Sequence, residues 1–299
     1  MPVNQTLSNF SDVAFQSAFV IYTLALVLSL IYYGRMQGVI DARRALARAE
    51  KKELVAVGDG GSTVVDDVPP VEEVERLEDR ANKFGGMTQS LVWLGVIVHS
   101  VSVVLRGLAT DRFPFGNLYE YVLVTTAFIM IGAAIVIQRK EWRVVWPWLL
   151  VPILALLFFG GTKLYADSAP VVPALQSNWL PIHVSVVSSG ASIGMLSGIA
   201  SLLYLLRIWQ PQGQERGIFG AIAKPLPSAK KLDGMAYRTA ILTLPVFGLG
   251  IGLGAIWAEA AWGRFWGWDP KETVSLISWV LYAAYLHARA TAGWRNWKA

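Results

Sequence analysis

Trp257-Ala-Glu-Ala-Ala-Trp262-Gly-Arg-Phe-Trp266-Gly-Trp268-Asp269-Pro-Lys-Glu272 is the stretch on which the reading of this chain turns. Four tryptophans and one phenylalanine fall within twelve positions, Trp257 to Trp268. On either side lie apolar stretches, Thr239–Ile256 and Thr273–Ala290, each long enough to cross a bilayer as a helix. So much flat, rigid aromatic surface at a membrane boundary suits a platform for a large planar ligand.

Working outward, the same apolar character recurs. Of the 299 residues, 54% are hydrophobic, only 16% are charged, and the mean hydropathy is +0.45. A soluble domain carries about 25% charge, and a soluble fold of this size could not hide the apolar excess. Seven spans are expected: Val13–Tyr33, Met87–Leu108, Leu118–Ile137, Val144–Phe159, Ile182–Leu206, Thr239–Ile256 and Thr273–Ala290. The runs are continuous rather than alternating, which argues against a β-barrel. The fold class is therefore an all-α polytopic membrane protein.

Lysine and arginine fix the expected orientation. They gather after the first span (Arg35, Arg43, Arg44, Arg48, Lys51, Lys52), after the third (Arg139, Lys140, Arg143) and after the fifth (Arg207, Arg216, Lys224, Lys230, Lys231). These alternate loops share one side, which the positive-inside rule makes cytoplasmic. The N-terminus and the tryptophan-rich loop at 257–272 are then outside. The pI of about 9.4 follows from the same loops and calls for no nucleic acid. The first span is not read as a signal peptide, because it lacks a basic start and a small-residue cleavage site. Residues 1–34 form the first membrane unit, 35–86 a basic and then acidic cytoplasmic linker, and 87–299 the core. Gly58 to Asp79, with its glycines, paired prolines and glutamates, is expected to be flexible.

The chain has no cysteine, so any thiol chemistry it supports must use a partner's thiols. It has three histidines. His99 falls inside the second span, His183 at the outer start of the fifth, and His287 in the inner half of the seventh. An ionisable residue at membrane depth is a functional candidate, and neutral imidazole is the commonest haem-iron ligand. The alternative is a histidine that hydrogen-bonds a neighbouring helix. Trp142, Trp146, Trp148, Trp294 and Trp297 fit an interfacial aromatic belt. The 257–268 cluster fits it less well, because Gly263 and Gly267 let a flat ligand approach the backbone. Asp269-Pro270-Lys271-Glu272 is a good helix start, and capping is the stronger reading of Asp269 over ligand contact. Arg264 and Lys271 are the nearest cations for haem propionates; both also read as exposed interfacial charges.

Trp262-Gly-Arg-Phe-Trp-Gly-Trp-Asp-Pro-Lys-Glu272, with Leu276-Ile-Ser-Trp279 and Tyr285-Leu-His287, resembles the tryptophan-rich WWD domain of haem-handling proteins. The likeness is greatest to the CcsA/ResC-type subunit of System II cytochrome c biogenesis, whose actinobacterial members are often named CcsB. Arg112-Phe-Pro-Phe-Gly-Asn-Leu-Tyr-Glu120 is similar to that family's outer loop. The resemblance runs from about Met87 onward and implies a haem-handling subunit of a cytochrome c synthase, not active alone. It implies that His99 and His287 hold haem b within the bilayer, and that His183 holds it at the outer face beside Trp262, Trp266, Trp268 and Asp269. The family has a second outer histidine after one further span. The sequence ends at Ala299 without one, either because it is cut short or because this member departs from the pattern, which leaves the outer haem one identifiable axial ligand here. The implied partners are a ResB-type membrane subunit, an apocytochrome with a Cys-x-x-Cys-His segment, and a thioredoxin-like reductant. The implied setting is the lipid of a bacterial plasma membrane, with a thylakoid membrane as the alternative. Three other readings stay open: a System I haem-delivery protein, a b-type membrane electron carrier and a transporter.

Overall fold

The structure, a computed structural model, describes residues 3–59, 69–171, 173–291 and 294. Every regular element among them is helical: α1 (Gln5–Asp59), α2 (Val71–Thr110), α3 (Leu118–Val136), α4 (Trp146–Lys163), α5 (Trp179–Trp209), α6 (Gly217–Ala223), α7 (Ala229–Trp262) and α8 (Pro270–Ala290). Short 3₁₀ segments cover Lys140–Val145 and Pro173–Gln176. Six helices, α1 to α5 and α7, are long and apolar enough to cross a membrane. This is a multi-pass membrane protein, as its composition requires. The helix α8 forms where the seventh span is expected, but Ser275, Ser278, Tyr282, Tyr285, His287 and Arg289 lower its apolarity below that of the other six.

Two expectations are corrected. The basic segment after the first span continues α1 as far as Asp59, and α2 begins at Val71. The acidic run Glu72–Asp79 is therefore helical, not flexible. Glu72 and Glu73 lie in the first turn of α2, where negative charge favours the helix dipole. Residues 60–68, the middle of the expected linker, lie outside the described residues. Likewise, α7 runs on to Trp262, so only half of the tryptophan-rich segment is loop.

The chain is a set of antiparallel helices. The pairs α1/α2 and α5/α7 carry most of the packing; α3 and α4 join the first pair, and α8 lies mainly on α7. Tyr22, Trp146, Leu149 and Ile153 are fully buried between the first four helices. Small residues bring α5 and α7 together. A Cβ on Gly190 would sit 2.6 Å from the Phe247 Cα, and one on Gly250 would sit 2.6 Å from the Val187 Cα. In a bilayer, where apolar burial gives helices little reason to associate, such backbone approach supplies the van der Waals contact that does.

The alternation of direction gathers the N-terminus of α1, the C-termini of α2, α4 and α7, and the N-termini of α3, α5 and α8 at one end. The sequence sets each boundary there. Asp111, in the left-handed region at φ 50°, stops α2. The Asn117 side chain accepts from the Glu120 N–H at 2.8 Å and starts α3. Gly263, at φ 69°, closes α7 by donating to the Glu259 carbonyl at 2.8 Å.

Candidate haem-binding cavity

The end that carries the tryptophans holds a cavity of about 460 Å³. That lies inside the 300–1,000 Å³ range of small-molecule pockets. Its walls come from the α2–α3 loop and start of α3 (Phe115 to Leu118, Tyr121), the start of α5 (His183), the end of α7 (Phe247, Trp257) and the loop into α8 (Trp266, Lys271).

His183 lies one turn into α5, on the backbone of α7. Gly254 leaves the room: a Cβ there would lie 2.6 Å from the imidazole Cε1. The Nδ1 of His183 donates to the Gly250 carbonyl at 2.8 Å. A carbonyl can only accept, so Nδ1 carries the proton and Nε2 keeps its lone pair. This second bond orients a ligating histidine and fixes its tautomer. The ring is also parallel to Trp257, 5° between planes with centroids 6.1 Å apart.

The tryptophans divide. Trp257 and Trp266 line the cavity, whereas Trp262 (55% exposed) and Trp268 (69% exposed) face outward. Each outward ring meets an inner one edge to face, Trp262 on Trp257 at 6.2 Å and Trp268 on Trp266 at 5.8 Å. The Trp266 Nε1 is buried and has no hydrogen-bond partner, a donor kept at the cavity. Trp268 sits at φ 57°, an uncommon conformation for a bulky residue. A web around Glu272 holds it there. The Glu272 carboxylate accepts from the Gly267 N–H at 2.7 Å and the Asp269 N–H at 3.3 Å. Asp269 accepts from the Glu272 N–H at 2.8 Å, completing a capping box. Asp269 thus caps α8 and borders the cavity at once. Arg264 turns onto Glu272 at 3.5 Å and is not in the lining. Lys271 is in it, with no ion pair among the described residues.

The opposite wall is anchored by buried charge. Glu120, fully buried, accepts from Arg106 Nε at 3.2 Å, Arg112 Nη1 at 2.8 Å and the Gly116 N–H at 2.7 Å. Arg106 is also fully buried; it donates to the Ala166 carbonyl and stacks over the Tyr119 ring at 5.2 Å. One carboxylate therefore ties the end of α2, the 111–117 loop and the segment after α4 behind Phe115.

The other two histidines stand elsewhere. His99 is fully buried, its Nδ1 3.5 Å from the Tyr22 hydroxyl and its Nε2 without a partner. His287 is exposed on α8, a helix with no buried residue. At 1.5 Å per residue they lie about 17 Å and about 26 Å from the cavity end of their helices. α2 packs chiefly on α1 and α3, and α8 on α7.

Sequence reasoning missed Trp257 as a wall, the Gly250–Gly254 seat of His183, and Arg106. The alternate glycines at 248, 250, 252 and 254 and a charged residue inside the second span were the available signals. Among the described residues no group of three or more His, Asp or Glu side chains could hold a bare metal ion. Besides the Asp269 and Glu272 carboxylates, which are engaged in the cap of α8, the cavity offers one imidazole lone pair, facing aromatic walls, one indole donor and one ammonium. These fit a flat metal complex that brings its own equatorial ligands, and the residues therefore suit haem.

The family described as "Cytochrome C assembly protein" matches residues 89–299, which include every residue that lines the cavity. The chain is a member of the cytochrome c assembly protein family. Similar members are a protein of Guillardia theta, 34% identical over 218 residues (67% of this chain, 72% of the relative), and one of Parasynechococcus marenigrum, 32% identical over 239 residues (71% and 76%). A third, from Prochlorococcus marinus, is 31% identical over 242 residues (72% and 75%). All three are named "Cytochrome c biogenesis protein CcsA". This assembly protein works in cytochrome c biogenesis.

Proposed function

We propose that the protein is the haem-presenting subunit of a System II cytochrome c synthase. The observation that carries this reading is the His183 seat, an imidazole whose Nδ1–H is bound by the Gly250 carbonyl and whose Nε2 is left free beside Trp257 and Trp266. His183 would hold the iron, Trp257 and Trp266 would flank the macrocycle, and the Trp266 indole N–H and Lys271 would meet the propionates. The aromatic walls exclude water from the face they cover.

Haem b is the substrate. When bound it supplies two vinyl groups, to which the thiols of a partner's Cys-x-x-Cys-His segment add. Each addition breaks one S–H bond and the π bond of the vinyl C=C, forms one C–S and one C–H bond, and is redox-neutral. Every thiol belongs to the apocytochrome, because this chain has no cysteine. The chain's own part is orientation, which turns an encounter of large molecules into a reaction of neighbours. A ResB-type membrane subunit and a thioredoxin-like reductant are the proposed companions. The basic loops support an extracytoplasmic position for the cavity end, in a bacterial plasma membrane or its thylakoid equivalent. His99 and His287 are the proposed pair for haem within the bilayer.

The test is maturation. In cells lacking other cytochrome c maturation systems but supplying the partner subunit, His183→Ala should abolish covalent cytochrome c, read by haem stain, while the protein still accumulates in the membrane. Normal maturation would remove His183 from the site.

A further inference from the structure

At the end opposite the tryptophans lies a cavity of about 660 Å³. Its walls come from the second half of α1, the first turns of α2, the 3₁₀ segment Lys140–Val145 and the turn that leads into α7. Two lining residues mark its depth. Tyr32 stands at the end of the first apolar run, Val13–Tyr33, and Val144 begins the fourth, Val144–Phe159. The cavity therefore sits where hydrocarbon gives way to lipid headgroups. Its lining is graded. Tyr32, Val144 and Leu226 are buried and make an apolar floor, whereas Arg43, Lys140 and Lys231 are exposed and make a cationic rim.

The charge does not cancel. The lining holds five cations, Arg43, Arg44, Lys140, Lys224 and Lys231, against two carboxylates, Glu78 and Glu141. Asp41 pairs with Lys224 and Glu215 with Arg44 from outside the lining, and cations still outnumber carboxylates. Lys140 has no ion pair among the described residues. The Arg43–Glu78 and Lys231–Glu141 pairs are exposed, and exposed pairs exchange partners at little cost. Ser228 also lines the cavity. It is the N-cap residue of α7, yet its side chain makes no capping bond, so the first N–H groups of a 34-residue helix stay available to an outside anion.

An apolar floor under a cationic rim, at headgroup depth, is the complement of an anionic amphiphile. We propose that this cavity binds the headgroup of an anionic phospholipid. The phosphate sits among Lys140, Lys231 and the start of α7, and the first acyl carbons lie over Tyr32, Met36 and Val144. A soluble phosphate would use the rim and leave the floor wet. A choline headgroup would set its own cation against the lysines. Bound there, the lipid bridges α1, the 3₁₀ segment and α7.

The test is native mass spectrometry of the full-length, delipidated protein in neutral detergent, titrated with phosphatidylglycerol or with phosphatidylcholine of the same acyl chains. One phosphatidylglycerol should be retained at least tenfold more tightly than phosphatidylcholine. A lysine facing an anionic headgroup is worth about fivefold in affinity, so Lys140→Gln should weaken phosphatidylglycerol by about that factor and leave phosphatidylcholine unchanged. Lys140→Gln with Lys231→Gln should remove the preference. Lys230→Gln, an exposed neighbour outside the lining, is the control and should retain it. Melting temperatures taken without lipid show that each variant is folded. Equal retention of the two lipids by wild type, or an equal loss in Lys140→Gln and Lys230→Gln, would overturn the site. Displacement of the lipid by an equal concentration of glycerol phosphate would overturn the lipid as its occupant.

Discussion

Replacing Gly254 by alanine tests the His183 seat without touching the histidine. The new methyl would lie 2.6 Å from Cε1, 2.9 Å from Nδ1 and 3.2 Å from Nε2 of His183. Ordinary contact is about 3.5–4.0 Å, so the imidazole must move by close to 1 Å or tilt. Either motion breaks the 2.8 Å bond from Nδ1 to the Gly250 carbonyl. Losing the outer partner of a ligating histidine weakens metal affinity about 10–100-fold. Gly252→Ala is the built-in control, because nothing lies within 4 Å of its added Cβ. It adds the same methyl one half-turn away and should raise helix stability by about 0.8–1.0 kcal/mol. The assay is the rate at which purified protein loses haem to an excess of apomyoglobin, with melting temperature alongside. Gly254→Ala should lose haem at least tenfold faster than both wild type and Gly252→Ala. Equal loss rates in all three would show that the Gly250 carbonyl does not position a ligand.

Three further outcomes follow from the charges. Glu120→Gln leaves the buried Arg106 with only Asp12, 3.7 Å away, as a carboxylate partner, so the melting temperature should fall by several degrees; an unchanged melting curve would refute the anchoring role. At the far end, burial alone would raise the Glu215 carboxyl, but hydrogen bonds from Arg44 and the Gly213 N–H override it and hold it at about 2. A depressed carboxyl stabilises above its unfolded value of 4.5 and loses that contribution as pH falls toward 2, so wild type should lose its stability advantage over Glu215→Gln between pH 5 and pH 2.5, and a constant difference across that window would contradict the pairing. A reporter inserted at Gly263 should be extracytoplasmic and one at Gly213 cytoplasmic, checked by paired periplasmic and cytoplasmic enzyme activities; the reverse pattern would place the cavity on the wrong side for its partner.

What was legible in the sequence was periodicity and composition. Long apolar runs give the helices, and Asp269-Pro-Lys-Glu272 gives the cap of α8, because both depend on neighbours in sequence. Helix ends were less legible. Glu72–Asp79 has the composition of a linker, yet its glutamates sit where a helix dipole welcomes them and α1 packs beside them. The site was half legible. His183 and Trp266 announced themselves as rare residues in a marked place. Whether Trp262 or Trp257 faces the cavity depends on how far α7 runs before Gly263 turns it, which composition does not encode. Arg264 stood next to Lys271 as an equal candidate, and Glu272 separates them by claiming the arginine. Whether His99 and His287 meet was not legible, since sequence gives membrane depth but not which helices touch.

The most direct measurement is the dithionite-reduced absorption spectrum of the purified, detergent-solubilised protein, wild type beside His183→Ala. Wild type should show b-type bands. His183→Ala should show them weakened, with added imidazole restoring part of the intensity by filling the vacated axial position. Bands of equal strength and position in both proteins, or none in wild type, would contradict the account.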